Sequence, residues 1–317
     1  MRESKAVHSP SHHNSHHHHH HHGHGDDASS RRIGLAFFLN AGFTLIEFVG
    51  GWLTNSTAIM ADAVHDLGDT LAIGSAWLLQ RWGRGAPNDE FTYGYRRLSL
   101  FGAFVNGMVL LLGSAWVIGH ALPRLADPVM PATEGMLVLA LFGVAVNGYA
   151  AYRLSKGTTL NERVLNWHLL EDVLGWVAIL ILSLVLLVVE LPILDPLLSI
   201  AFTLFILVNV FRNLWLTGKL FFQAVPDKNL RDDVHASLMA VDGVADVHHL
   251  HLWSLDGEHH VLTAHVVSPS PLATAEHQQL KAAIAAALEG YGLAHTTIEI
   301  EQGEEPCRDG PRDCGEP

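Results

Sequence analysis

Cysteine is nearly missing from this chain: two occur in 317 residues, Cys307 and Cys314, both close to the C-terminus. That excludes a disulfide framework for the body of the protein, and nothing in it calls for an oxidising compartment. Basic residues are also scarce. Nineteen Lys and Arg stand against 32 Asp and Glu, a formal charge of −13, which argues against the basic face that nucleic-acid binding needs. The first 30 residues lack the apolar core of a signal peptide.

Two things are in excess. Apolar residues make up 49% of the chain and histidine occurs 23 times; imidazole is the commonest transition-metal ligand. His16 to His22 form an unbroken run, with His12, His13 and His24 around it. The run reads as a native, disordered, metal-collecting tail or as a purification tag. The flanking histidines favour the native tail, and neither reading gives residues 1–30 a fold.

The apolar residues gather in six segments, approximately 33–53, 57–80, 98–122, 135–154, 167–189 and 193–216. At a rise of 1.5 Å per residue each is about 30 Å long, enough to cross a bilayer core. Arg31 and Arg32 precede the first segment. Arg81, Arg84, Arg96 and Arg97 lie between the second and third, Arg153, Lys156 and Arg163 between the fourth and fifth, and Lys219 after the sixth. The opposite loops hold Arg124 alone. By the positive-inside rule both termini are cytoplasmic, and compact loops without targeting segments suggest a bacterial inner membrane.

After Leu220 the composition turns polar. A helix is expected from Lys228 to Ala240, strands over 247–255 and 259–267 joined at Asp256-Gly257, a helix over 273–288 and a strand over 296–301. The expected architecture is therefore a membrane all-α six-helix transmembrane bundle followed by a small cytoplasmic α+β domain of order αββαβ, both helices on one face of its sheet. Its divisions are a His-rich tail (1–30), the bundle (31–222), the cytoplasmic domain (223–302) and a flexible acidic tail (303–317).

Ionisable groups inside an apolar span are expensive, so each is a functional candidate. The second span carries His65-x-x-x-Asp69 and the fifth His168-x-x-x-Asp172. A spacing of four puts both side chains on one helix face. Two such helices face to face present two imidazoles and two carboxylates, a set that suits tetrahedral Zn²⁺ and also accepts Cd²⁺ or Co²⁺. A structural zinc has little reason to sit in lipid, so the pattern points to carriage of the ion across the membrane, with protons competing for the same ligands. Asp66 and Glu171 point about 100° round their helices, and Asp62 lies one turn before His65. The alternatives are a membrane-bound sensor that binds zinc without moving it, a channel, and an intramembrane hydrolase; the last lacks a metalloprotease motif, so the chain is read as a transporter and not an enzyme.

At these residues the chain resembles the cation diffusion facilitator family, in its zinc-transporting branch. Asn40 and Glu47 resemble the family's first-span pattern, and Ser56 to Asp69 its second-span signature. Phe91 to Arg97 with Asn106-Gly107 resembles its loop and third span, and Asp195-Pro196 the start of its sixth. Val247 to Ser254 resembles the soluble-domain stretch Val-His-Asp-Leu-His-x-Trp, with His249 in place of the aspartate. The resemblance implies a homodimer of six-span subunits in the lipid bilayer, a metallochaperone-like cytoplasmic domain, and exchange of metal for protons. It also implies a second, cytoplasmic zinc site at His248, His265 and His277, where Glu299 and Glu301 replace a His and an Asp, and His249 adds a further donor. Cys307 and Cys314, with six residues between them, do not have a zinc-site spacing.

Overall fold

The computed structural model describes residues 23–82, 87–154, 160–303 and 305–309; the histidine run His16 to His22 and Cys314 lie outside them. Six long helices come first: α1 (Gly23–Thr54), α2 (Thr57–Trp82), α3 (Leu98–Ala126), α4 (Thr133–Leu154), α5 (Leu160–Val188) and α6 (Leu194–Phe221). They are followed by α7 (Lys228–Met239), β1 (Asp246–Ser254), β2 (His260–Ser268), α8 (Thr274–Ala287) and β3 (Leu293–Gln302). α1 starts ten residues ahead of its apolar run, so its first turns lie within the segment expected to have no fold.

Among the described residues, five helices are long and apolar enough to cross a membrane, and α2 is not one of them. Asp62, Asp66 and Asp69 lower its hydropathy. The fold accommodates this by placing α2 in the middle, packed on α1, α3, α5 and α6. Ile59, Ala61, Asp62 and Ala63 are fully or almost fully buried, while large apolar side chains on other helices, such as Trp52, Leu112, Val138, Val188 and Trp215, face outward. The helix that carries charge is thus shielded by helices that face lipid.

Two polar devices fix α2. Along its length, Asn40 on α1 donates to Thr70 Oγ1 at 2.9 Å, and Thr44 meets the same hydroxyl at 3.1 Å. At its start, Asp195 of α6 is almost fully buried and caps the helix from another element. Its carboxylate accepts from Ser56 Oγ at 2.6 Å, from Thr57 N and Oγ1 at 2.7 Å each, and from Ala58 N at 3.3 Å. The first N–H groups of a helix have no partner within it, and here a carboxylate supplies one, favoured also by the dipole. The preceding turn places Asn55 in the left-handed region, φ 55, which Asn tolerates. Arg124 at the end of α3 holds that turn through Asn55 O (2.7 Å) and Oδ1 (2.5 Å).

Trp176 of α5 is the largest buried side chain and centres a cluster with Ile59, Met136, Ala140 and Ile179. Its indole lies against Gly143 of α4, where an added Cβ would collide with the ring. Gly143→Ala is expected to destabilise the bundle by about 1–3 kcal/mol through overpacking, read as a lower thermal midpoint in detergent. Gly148→Ala on the same helix, with open space at its Cβ, should leave the midpoint unchanged or raise it.

In the soluble domain β1 pairs antiparallel with β2, and β2 parallel with β3 through the α8 crossover, giving the order β1-β2-β3. Val234 and Leu238 of α7 and Leu280 and Ile284 of α8 join Val247, Leu252, Leu262, Ala264 and Val266 in one core, so both helices cover one sheet face. Val247 and Leu252 are an odd number of positions apart, yet both point into this core. A regular strand forbids that. The register from His248↔His265 to His251↔Thr263 absorbs the extra residue as a bulge, with His249 at φ 47. The bulge leaves His248 beside His265 on the face away from the helices.

The β1–β2 turn is closed by Asp256, which accepts from Glu258 N at 3.0 Å, His259 N at 2.7 Å and His259 Nδ1 at 2.7 Å. Burial alone would raise its carboxyl, but the backbone and imidazole hydrogen bonds outweigh that and hold it below the usual carboxylate range. A carboxyl depressed in the folded state stabilises at pH above its unfolded value, and that contribution is lost as pH falls through the folded value. Hydrogen exchange at Gly257 to His259 should therefore accelerate below about pH 4, and Asp256→Asn should remove this pH dependence.

Candidate metal centres

The first centre lies inside the bundle. His65 and Asp69, one turn apart on α2, meet Asp172 of α5. His65 Nε2 stands 3.8 Å from Asp69 Oδ2 and 3.8 Å from Asp172 Oδ1, and one ligand atom from each residue falls within 4.8 Å of the others. Metal–ligand bonds of about 2.0–2.1 Å imply tetrahedral edges of about 3.3 Å, so a small inward movement would close this set on an ion. Phe202 of α6 sets its ring edge to face with the His65 imidazole, centroids 5.9 Å apart. The α5 backbone approaches closely at Gly175, where a Cβ would lie 3.2 Å from Asp62 Oδ1. His168 falls on α5 one turn before Asp172; its side chain is outside the described residues.

Beside this set, Glu47 of α1 and Asp62 and Asp66 of α2 are buried together. Asp66, which points about 100° round α2 from His65, lies inside the bundle with Glu47. Glu171 is exposed. Three carboxyl groups are thus buried next to the centre.

The second centre lies on the open face of the soluble sheet. His248 Nε2 is 3.2 Å from Glu301 Oε2, and His265 Nδ1 is 2.8 Å from Glu301 Oε1. Their rings are 5.5 Å apart. Cys307 brings Sγ to 3.5 Å from His265 Nδ1, and the four residues form the second group with ligand atoms within 4.8 Å of one another. Burial pushes the Glu301 carboxyl up, but hydrogen bonds from His265 and Cys307 and the neighbouring imidazoles outweigh it and hold it low, in the deprotonated form a metal requires. Glu299 is not in the group; its Oε2 is 3.7 Å from His265 Nε2. His249 packs its buried ring 5.0 Å from His265 without joining. His277 does not join either: it lies on α8, which packs on the opposite sheet face. The spacing of Cys307 to Cys314 gives no sign of this placement, because the neighbours of Cys307 are not a second cysteine but residues of all three strands.

Long lipid-facing helices around an imidazole–carboxylate set, with a histidine-rich α+β domain attached, define a polytopic membrane protein with groups of side chains inside and outside the bundle that could hold a metal ion. The cation efflux transmembrane domain profile matches residues 33–221, and that of the cation efflux protein cytoplasmic domain matches residues 226–303; the chain belongs to the cation efflux family. It is 31% identical to the zinc transporter ZitB of Yersinia pseudotuberculosis, over 91% of this chain and 92% of that one. To ZitB of Escherichia coli it is 33% identical, over 91% of each. To a cadmium, cobalt and zinc/H⁺–K⁺ antiporter of Bacillus subtilis it is 28% identical, over 88% of this chain and 91% of that one.

Proposed function

We propose that this chain is a secondary transporter that moves Zn²⁺ out of the cytoplasm in exchange for protons, with Cd²⁺ and Co²⁺ as further substrates. The observation that carries the reading is the convergence of His65, Asp69 and Asp172 from two helices inside an apolar bundle. The similarity to zinc transporters and to a metal/H⁺ antiporter supports it. His168 completes the transport set as its second imidazole. Zn²⁺ exchanges its water shell for these groups on the cytoplasmic side. The bundle then rearranges, and protons from the far side displace the ion, because zinc needs the deprotonated ligands and imidazole titrates near neutral pH. No covalent bond is made or broken, so the protein is not an enzyme.

His248, His265 and Glu301 form a second, cytoplasmic zinc site with a regulatory role, Glu299 steadying His265 from outside. Both termini are cytoplasmic, the membrane is the inner membrane, and two copies form the working unit. The test is zinc flux into proteoliposomes with and without an imposed proton gradient. Saturable flux that follows the gradient is expected. Zinc that binds without crossing would overturn transport in favour of a sensor, and flux that does not saturate would indicate a channel.

A further inference from the structure

After β3 the chain reverses at Gly303, in the left-handed region at φ 62, and the Gly303 N–H donates to Ser268 O at 3.0 Å. This reversal brings residues 305–309 back to His265. Metal–ligand bonds of about 2.0–2.1 Å to nitrogen or oxygen and 2.3 Å to sulfur set tetrahedral edges of about 3.3 Å between N and O and about 3.6 Å between N and S. The separations here are 3.2 and 2.8 Å for the two N–O pairs and 3.5 Å for N–S.

A second observation is independent of the thiol. Each imidazole turns one nitrogen inward and offers the other to a carboxylate. His248 Nδ1 lies 3.2 Å from Asp246 Oδ2, and His265 Nε2 lies 3.5 Å from Asp309 Oδ2 and 3.7 Å from Glu299 Oε2. Carboxylates behind imidazoles are the usual outer layer of a metal site, fixing tautomer and ring orientation. The C-terminal segment supplies both parts, a donor at Cys307 and an outer carboxylate at Asp309, and Arg308 between them reaches Glu299 at 3.1 Å.

We infer that Cys307, as thiolate, is the fourth ligand of the cytoplasmic site and closes an N₂OS tetrahedron that fastens residues 305–309 to the sheet. This rests on the reading of His248, His265 and Glu301 as metal ligands. One carboxylate and one thiolate neutralise a divalent ion. Sulfur selects a borderline or soft ion, Zn²⁺ or Cd²⁺, over Mg²⁺ or Mn²⁺. Four protein ligands leave no open position, so this ion stays bound and is not cargo in transit.

The test uses the full-length protein in detergent with Cys314→Ser, titrated with Co²⁺. The transport set and the histidine tail contain no thiol, so near-ultraviolet thiolate-to-cobalt charge-transfer absorption reports the cytoplasmic site alone. The absorption is expected in this background, is displaced by Zn²⁺, and is lost in both Cys307→Ser and His265→Ala. Zinc affinity at this site should fall by about 100-fold or more in Cys307→Ser, since loss of an outer-layer partner alone costs about 10- to 100-fold. Absorption that survives Cys307→Ser, that survives His265→Ala, or that never appears in the background overturns the assignment. Absorption in a protein that shows no zinc flux supports the assignment while overturning transport, so the two readings fail separately.

Discussion

Zinc flux through Asp172→Asn is expected to fall by about 100-fold or more, since replacing even an outer-layer partner of a metal ligand costs about 10- to 100-fold and this change removes a ligand. Asparagine keeps the size of the side chain and removes its charge. Asp172 is the only described α5 residue in the intramembrane set, so the change breaks the link between the two helices without emptying space between them. Glu171, adjacent in sequence but exposed, is the control: Glu171→Gln should transport normally. Both variants should keep the wild-type elution profile in detergent. Equal flux from Asp172→Asn and the native protein would remove Asp172 from the transport site and with it the pairing of α2 and α5 around the ion.

The largest expected effect on stability comes from Asp195→Ala. The carboxylate accepts hydrogen bonds from two hydroxyls and two backbone N–H groups in a buried place. Hydrogen bonds to a charged group contribute about 1.5–3 kcal/mol each, and stranding a buried donor costs about 1–3 kcal/mol. These terms are not additive, and Ser56 Oγ retains a second partner, accepting from Ile59 N at 3.2 Å, so a loss of about 3–5 kcal/mol is the reasonable sum. The readout is the thermal midpoint in detergent. Asp195→Asn should fall between, because its amide keeps one acceptor and turns donors toward donors. An unchanged midpoint in Asp195→Ala would mean that helix packing alone holds the start of α2.

Much of this fold is legible in the amino-acid sequence. The apolar runs report six helices because a bilayer core sets a length and forbids unpaired backbone, and α2 stands out because its charges recur at helical spacing. His65, Asp69 and Asp172 meet as that spacing suggested. What was not legible depends on partners distant in sequence. Val247 to Leu255 reads as one alternating strand, and only the shared core of Val247 and Leu252 reveals the bulge at His249. Asp195 could be picked out by resemblance, but its role as a helix cap depends on Ser56 and Thr57, 139 and 138 positions away. Cys307 carries no local signal at all, since its neighbours come from β1, β2 and β3. Resemblance grouped His277 with His248 and His265, whereas the fold puts α8 on the other side of the sheet.

The cap on α2 also bears on how the protein is made. Ribosomes deliver α2 early and α6 last of the six, so for most of the synthesis of the bundle the start of α2 lacks the carboxylate that completes it. α2 is also the helix least suited to lipid on its own, and until Asp195 arrives it depends on its hairpin with α1 and on α3. The membrane domain is thus left unfinished at one end until its final helix is inserted, and a nascent chain stopped after α5 would expose Ser56, Thr57 and the charged helix behind them to whatever surveys the membrane for incomplete proteins.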